Sequence, residues 1–209
     1  MTTTSLPVFV VDDDASVLRS LTRLLLSADH RVMAFHSPQE FIDSAKIKSP
    51  GCVILDMQMP EFDGLEVQRQ LAAKESPLSV IFLTAHGQIS DCVDALKSGA
   101  VDFLTKPVTD TVLLTAVHQA LKKSDARHRE AAELHSIRER AKTLSPREYE
   151  VFCLVVTGLL NKQVAAELGT SEKTIKVHRA RVTEKMKAGS LAELVVMAGK
   201  LGVIREEHS

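Results

Sequence analysis

The sequence predicts two architectures in one chain: an α/β doubly wound, five-stranded parallel sheet joined by a helical connector to an all-α bundle of short helices. Three observations carry this. Through residue 122, short runs rich in β-branched and aromatic residues alternate with apolar residues at helical spacing. Residues 122–142 are rich in Ala, Glu, Arg and Lys and hold no Gly or Pro. From Leu144 onward the helical stretches become brief, opened by capping residues and punctuated by Gly. The expected bounds are 6–122 for the α/β part, 123–142 for the connector and 143–209 for the bundle.

The first predicted strand, Val8-Phe9-Val10-Val11, ends in Asp12-Asp13-Asp14. Val17, Leu18, Leu21, Leu24 and Leu25 follow at helical spacing, with Asp14 as N-cap. Arg31–Phe35 is the second strand. Ser37-Pro38-Gln39-Glu40 then reads as a capping box that opens a short helix. Cys52-Val53-Ile54-Leu55 is too short for most helices and is apolar throughout, so it predicts a strand buried on both faces, ending at Asp56. A helix from Leu65 to about Ala73 comes next. Val80–Leu83 is a strand ending in Thr84, and Ile89, Val93, Leu96 and Ala100 mark the helix after it. Val101–Leu104 is the last strand, ending in Thr105-Lys106-Pro107, and a final helix begins near Asp110. Its pattern runs toward Leu134, Ile137, Ala141 and Leu144, which suits either a solvated connector or one paired in a dimer.

Ser145-Pro146-Arg147-Glu148 combines an N-cap, a first-turn Pro and a capping-box Glu. The helix it opens ends at Gly158. Asn161–Leu168 is a short helix stopped by Gly169, Thr170-Ser171 caps a longer one over Glu172–Met186, and Ser190 starts a last helix through Leu201.

The net charge of −1 conceals an asymmetry. Residues 1–122 carry 10 Lys+Arg against 15 Asp+Glu, whereas residues 143–209 carry 10 against 8. An acidic front suits a metal or phosphate site and a basic rear an anionic partner. Cys52, Cys92 and Cys153 are widely spaced and lack metal-ligand spacing, as in a reduced cytoplasmic protein. The N-terminus lacks signal-peptide regions, and no apolar run approaches the ~20 residues that span a bilayer. No membrane association is expected.

In a doubly wound sheet the strand ends share one rim, so Asp12, Asp13, Asp56, Thr84 and Lys106 are expected to meet. Clustered carboxylates repel unless a cation is present, and oxygen donors with a phosphate task favour Mg²⁺. Lys106 brings a charge suited to a phosphoryl oxygen and Thr84 a hydroxyl. The ordered set Val11-Asp12-Asp13-Asp14, Leu55-Asp56-Met57-Gln58-Met59-Pro60, Asp63-Gly64, Leu83-Thr84-Ala85-His86-Gly87 and Lys106-Pro107 resembles the receiver domain of bacterial two-component response regulators, a flavodoxin-like fold. The resemblance implies that Asp56 is the phosphoacceptor. It implies that Asp13, Asp56 and the Gln58 carbonyl hold Mg²⁺, with Asp12 acting through water. It also implies that Thr84 and Lys106 read the phosphoryl group, that Lys106-Pro107 is cis, and that Phe103 is either the switch aromatic or a plain core residue. An aspartate-nucleophile phosphohydrolase would carry a second acid two residues beyond the nucleophile, where Gln58 stands. A receiver that is never phosphorylated and serves only to dimerise is disfavoured by the intact Asp13, Asp56 and Lys106.

Asn161–Lys187 holds seven Lys+Arg and three Glu in a helix, turn, helix layout. On the second helix Ile175, His178, Val182 and Met186 form the inward stripe. Lys173, Thr174, Lys176, Val177, Ala180 and Arg181 are left outward, as a recognition helix requires. Leu144–Glu148, Gly158, Asn161-Lys162-Gln163-Val164-Ala165, Leu168-Gly169, Ser171–His178 and Lys185-Met186 resemble the LuxR-type DNA-binding domain. The resemblance implies DNA contacts from Asn161, Lys162, Lys173, Thr174, Lys176, Val177 and Arg181. The sequence departs from that pattern at Leu160, where a small polar residue is usual, and at Ala180, where several relatives carry Lys or His. Together the halves resemble NarL/FixJ-type response regulators: phosphorylation-controlled transcription factors rather than enzymes. Their expected partners are a sensor histidine kinase, promoter DNA, RNA polymerase and, on phosphorylation, a second copy of the chain. Residues 143–209 alone are expected to bind duplex DNA.

Overall fold

The computed structural model describes residues 6–59, 64–85 and 100–204. The chain divides into two compact units, Met1–Arg129 and Glu130–Ser209.

In the first unit five parallel strands, β1 (Pro7–Val11), β2 (Arg31–Phe35), β3 (Cys52–Asp56), β4 (Ser79–Thr84) and β5 (Asp102–Thr105), lie in the order β2-β1-β3-β4-β5. Alternate strand residues feed opposite faces. Phe9, Val53, Leu55 and Phe82 join one core with Phe41, Val67 and Leu71. Val8, Val10, Ile54 and Ile81 join the other with Leu18, Leu25, Leu113 and Val117. The helices covering the first face are α2 (Pro38–Asp43) and α3 (Gly64–Ala73). Those covering the second are α1 (Ala15–Ser27) and α4 (Asp110–Lys142). Being buried on both sides is why β3 and β4 read as unbroken apolar runs. The helix expected around Ile89, Val93 and Leu96 lies outside the described residues, as do Cys92, His86, Gly87, Pro60 and Asp63.

The caps behave as their chemistry dictates, with one correction. Asp14 accepts from the Ser16 and Val17 N–H groups, as expected of the N-cap of α1. The Ser37–Glu40 box does not close: Ser37 Oγ accepts from Gln39 N–H at 3.2 Å. Pro38 has no N–H to offer, so Gln39 carries the first free donor of α2, and the hydroxyl is taken there.

Register places the rim. Val11 pairs with Leu55, Asp56 with Leu83, and Thr84 with Thr105. Asp12 therefore follows beside Asp56, and Lys106 follows Thr105 beside Thr84. The strand order reverses between β1 and β3, which makes this rim the topological switch point where open α/β sheets bind ligands.

In the second unit the end of α4 joins α5 (Pro146–Val156), α6 (Asn161–Glu167), α7 (Glu172–Met186) and α8 (Leu191–Lys200). Ser145 and Glu148 form the capping box predicted for α5. Gly158 and Gly169 adopt φ of +91° and +61°, the left-handed conformation that stops a helix at little cost in glycine. Ile137, with Ala141 and Leu144, packs against Phe152, Val182 and Met186. Ile137, Ala141 and Leu144 of the apolar stripe thus pack within their own unit.

Candidate phosphoacceptor pocket and nucleic-acid interface

Asp56 closes β3 with its side chain 12% exposed, beside Asp12, which is 2% exposed. Carboxylate oxygens of Asp12, Asp13 and Asp56 all lie within 4.8 Å of one another. Lys106 Nζ stands 2.7 Å from Asp12 Oδ2 and 3.4 Å from Asp56 Oδ2. The second Asp12 oxygen accepts from Asp14 N–H at 2.9 Å. Thr84 is fully buried, its carbonyl accepting from Lys106 N–H at 2.6 Å, and the Lys106-Pro107 bond is cis as expected. Phe103 packs on Phe82 with ring centroids 6.3 Å apart. Gln58 is exposed, two residues beyond Asp56.

Burial pushes the Asp56 carboxyl above the ordinary carboxylate range, and the Asp12 charge adds to this. Lys106 and the Gln58 backbone N–H pull it down without reversing the direction. Burial alone would lower the Lys106 ammonium, but the hydrogen bond and charge of Asp12, with Asp56 beside it, carry it above its usual value. Three carboxylates against one ammonium leave a formal charge of −2 in a partly dehydrated rim. An all-oxygen set of this kind fits a hard divalent cation.

In the second unit α7 turns Ile175, Val182 and Met186 inward and leaves Lys173, Thr174, Lys176, Val177 and Arg181 exposed. Lys162 is exposed at the start of α6, and Asn161 is half-buried. Leu160 is 69% exposed and offers no side-chain cap, so only half a box forms there: Gln163 Oε1 accepts from Leu160 N–H at 2.8 Å.

Residues 8–118 match the response regulator receiver domain, and residues 142–198 match the bacterial regulatory proteins of the luxR family. The chain belongs to the NarL/FixJ group of response regulators. It is 45% identical over 196 residues to nodulation protein W of Bradyrhizobium diazoefficiens, covering 94% of this chain and 86% of that one. It is 39% identical over 204 residues to the transcriptional regulatory protein FixJ of the same organism, covering 98% and 100%. The solved structure of the response regulator StyR matches with a TM-score of 0.84 at 40% identity, covering 94% of this chain and 100% of that one.

The response regulator is therefore a phosphorylation-regulated transcriptional regulator with a LuxR-type DNA-binding domain. Its receiver implies a histidine kinase partner, and its C-terminal domain implies promoter DNA. None of its described helices is long and apolar enough to cross a membrane. Several supporting contacts are not marked by any local pattern. A Cβ on Gly64 would lie 2.8 Å from the Asp56 carbonyl oxygen, so glycine lets α3 start close against the end of β3. Ser124 Oγ accepts from Gly51 N–H and donates to the Pro77 carbonyl, while Arg127 reaches Ser79 Oγ at 2.9 Å. Lys185 bonds Glu148 at 2.6 Å and the Thr143 carbonyl at 3.0 Å. Arg179 donates to Asn161. Gly64, Glu148, Asn161 and Lys185 stand in the motifs, but no motif pairs them with their partners. The Ser124 and Arg127 contacts join residues far apart in sequence.

Proposed function

We propose that Asp56 is the residue phosphorylated in this response regulator, by in-line transfer from a phosphohistidine of the cognate kinase. The supporting observation is the cluster of Asp12, Asp13 and Asp56 carboxylates at the end of β1 and β3, with Lys106 Nζ 3.4 Å from Asp56. As the P–N bond of phosphohistidine breaks, an Asp56 oxygen forms the new P–O bond and the departing imidazole keeps the electron pair. Asp13, Asp56 and the Gln58 carbonyl would hold Mg²⁺, with Asp12 acting through water; the ion supplies charge neutralisation for the phosphoryl oxygens when bound. Lys106 moves its ammonium from Asp12 toward the new phosphoryl group, and Thr84 donates a hydroxyl to it. Phe103, packed on the β4 residue Phe82, then follows Thr84 and shifts a two-state equilibrium of the receiver. The shifted face favours a dimer. Asn161, Lys162, Lys173, Thr174, Lys176, Val177 and Arg181 engage promoter DNA within the segment 143–209, and the bound dimer acts on RNA polymerase.

Acetyl phosphate with and without Mg²⁺ tests the assignment. Stable stoichiometric label that needs Mg²⁺ and vanishes in Asp56→Asn is the expected result. Rapid turnover would indicate a phosphohydrolase, and label persisting in the Asn variant would remove Asp56 from this role.

A further inference from the structure

By its spacing Arg179 belongs to the inner side of α7, four residues after the buried Ile175 and three before the buried Val182. A guanidinium placed there needs a partner. Its Nη1 donates to Asn161 Oδ1 at 2.7 Å, tying α7 to the first residue of α6. Arg179 makes no ion pair with a carboxylate among the described residues. Two consequences follow from that choice of partner. Arginine only donates, so the Asn161 amide must turn its oxygen to Arg179 and its Nδ2 group away. That Nδ2 group has no protein partner among the described residues, and it is not buried. A neutral amide also leaves the Arg179 charge uncompensated, where a carboxylate would have cancelled it.

We infer that Arg179 is a positioning residue for DNA: it fixes the amide of Asn161 so that Nδ2 donates to a backbone phosphate, and it adds its own unneutralised charge behind that contact. The inference rests on the reading that α6 and α7 face DNA. It assigns Asn161 a phosphate rather than a base, because the unpaired amide group of this half-buried residue is a pure donor next to the exposed Lys162 and backed by a cation.

Asn161→Asp separates this from a structural role. The Asp side chain keeps, and as an ion pair strengthens, the bond to Arg179, so the melting temperature should match or exceed the wild type. It also places an oxyanion where the donor stood. Full-length variants are titrated with a labelled mixed-sequence DNA duplex over a range of salt concentrations. N161D should bind about tenfold to a hundredfold more weakly, with the magnitude of the salt slope reduced by about one. N161A should weaken binding with an unchanged slope, because it removes no charge. R179K should stay near wild type, since only one N–H is used, and R179M should lose both affinity and about one unit of slope. A folded N161D that binds like N161A with the wild-type slope would overturn the phosphate contact. R179M binding like wild type would overturn the positioning role. Absence of binding by the wild type, with Lys176→Ala as its parallel, would instead strike the DNA-facing reading of α6 and α7.

Discussion

At Asp56 the protein holds a carboxylate where its charge is costly: burial raises its pKa and Asp12 adds repulsion. A carboxyl raised in the folded state disfavours folding above its folded pKa, and that cost disappears as pH falls and the proton returns. Asp56→Asn removes the charge at all pH values. Its melting temperature near neutral pH should therefore equal or exceed the wild type while phosphate label falls to background. Lys106 has the opposite role. Removing it leaves Asp12, 2% exposed, without its cation, and breaking such a pair costs about 3 kcal/mol. Lys106→Ala should melt well below the wild type in EDTA and recover most of that loss in Mg²⁺, because a divalent cation replaces the missing charge. Dimerisation driven by phosphate, followed by light scattering in Mg²⁺, should still fail, since the phosphoryl group lacks its contact to the end of β5. Thermal melts that ignore Mg²⁺ would contradict the metal assignment.

At the scale of elements, α4 and α5 are held by contacts that no local pattern announces. Ser124 is fully buried on α4 and satisfies both the Gly51 N–H and the Pro77 carbonyl, at the strand ends opposite Asp56. Ser124→Ala strands both groups and should destabilise the first unit by roughly 1–3 kcal/mol, read as a lower denaturation midpoint. In α5 the Glu148 carboxylate accepts from Lys185 and from Ser145 N–H, which together hold its pKa at about 2 against an ordinary 4.5. A carboxylate depressed in this way stabilises the fold fully above pH 4.5 and loses that contribution as pH falls toward 2. The second unit should therefore weaken across that acid window. Glu148→Gln, which keeps hydrogen-bonding capacity without titrating, should flatten the dependence in melts recorded from pH 6 downward (the end points chosen to bracket about 4.5 and 2).

At the scale of the whole molecule, α4 contributes Ser124 and Arg127 to the first unit and Ile137 and Arg140 to the second. A fragment beginning at residue 130 keeps the buried Ile137 and the Arg140 bond to the Met186 carbonyl. One beginning at residue 143 forfeits both, and an emptied Ile site costs about 2–5 kcal/mol. Both fragments should bind duplex DNA, the longer one with a clearly higher melting temperature; equal stabilities would show that α4 is dispensable there. Lys176 is exposed on α7 one residue after the buried Ile175, about a quarter turn round from the buried stripe, so it projects into solvent from the flank of the helix. Lys176→Ala should cost roughly 1–3 kcal/mol on a mapped site and relax specificity at one position if it reads a base edge. It should weaken all sequences evenly, with a salt slope smaller by about one, if it reads a phosphate. Unchanged affinity at fixed salt would take α7 out of the groove.

The sequence by itself determined the strands, their polar ends, the capped helices and hence the family. These are local signals: apolar runs of fixed length, Asp or Lys immediately after them, Ser and Gly at helix ends. They also sufficed for Asp12, Asp56, Thr84 and Lys106, because strands that run parallel must deliver their ends to one rim. What only the tertiary structure decided was who touches whom. The pairing of Lys106 with Asp12 ahead of Asp56 and the Ser124, Lys185 and Arg179 contacts join residues 18 to 94 positions apart, and Ile137 is covered by Val182 and Met186 from a different helix. No periodicity encodes such contacts. They arise because packing brings a buried donor and acceptor within reach, and because a dehydrated polar group must find a partner wherever the fold supplies one.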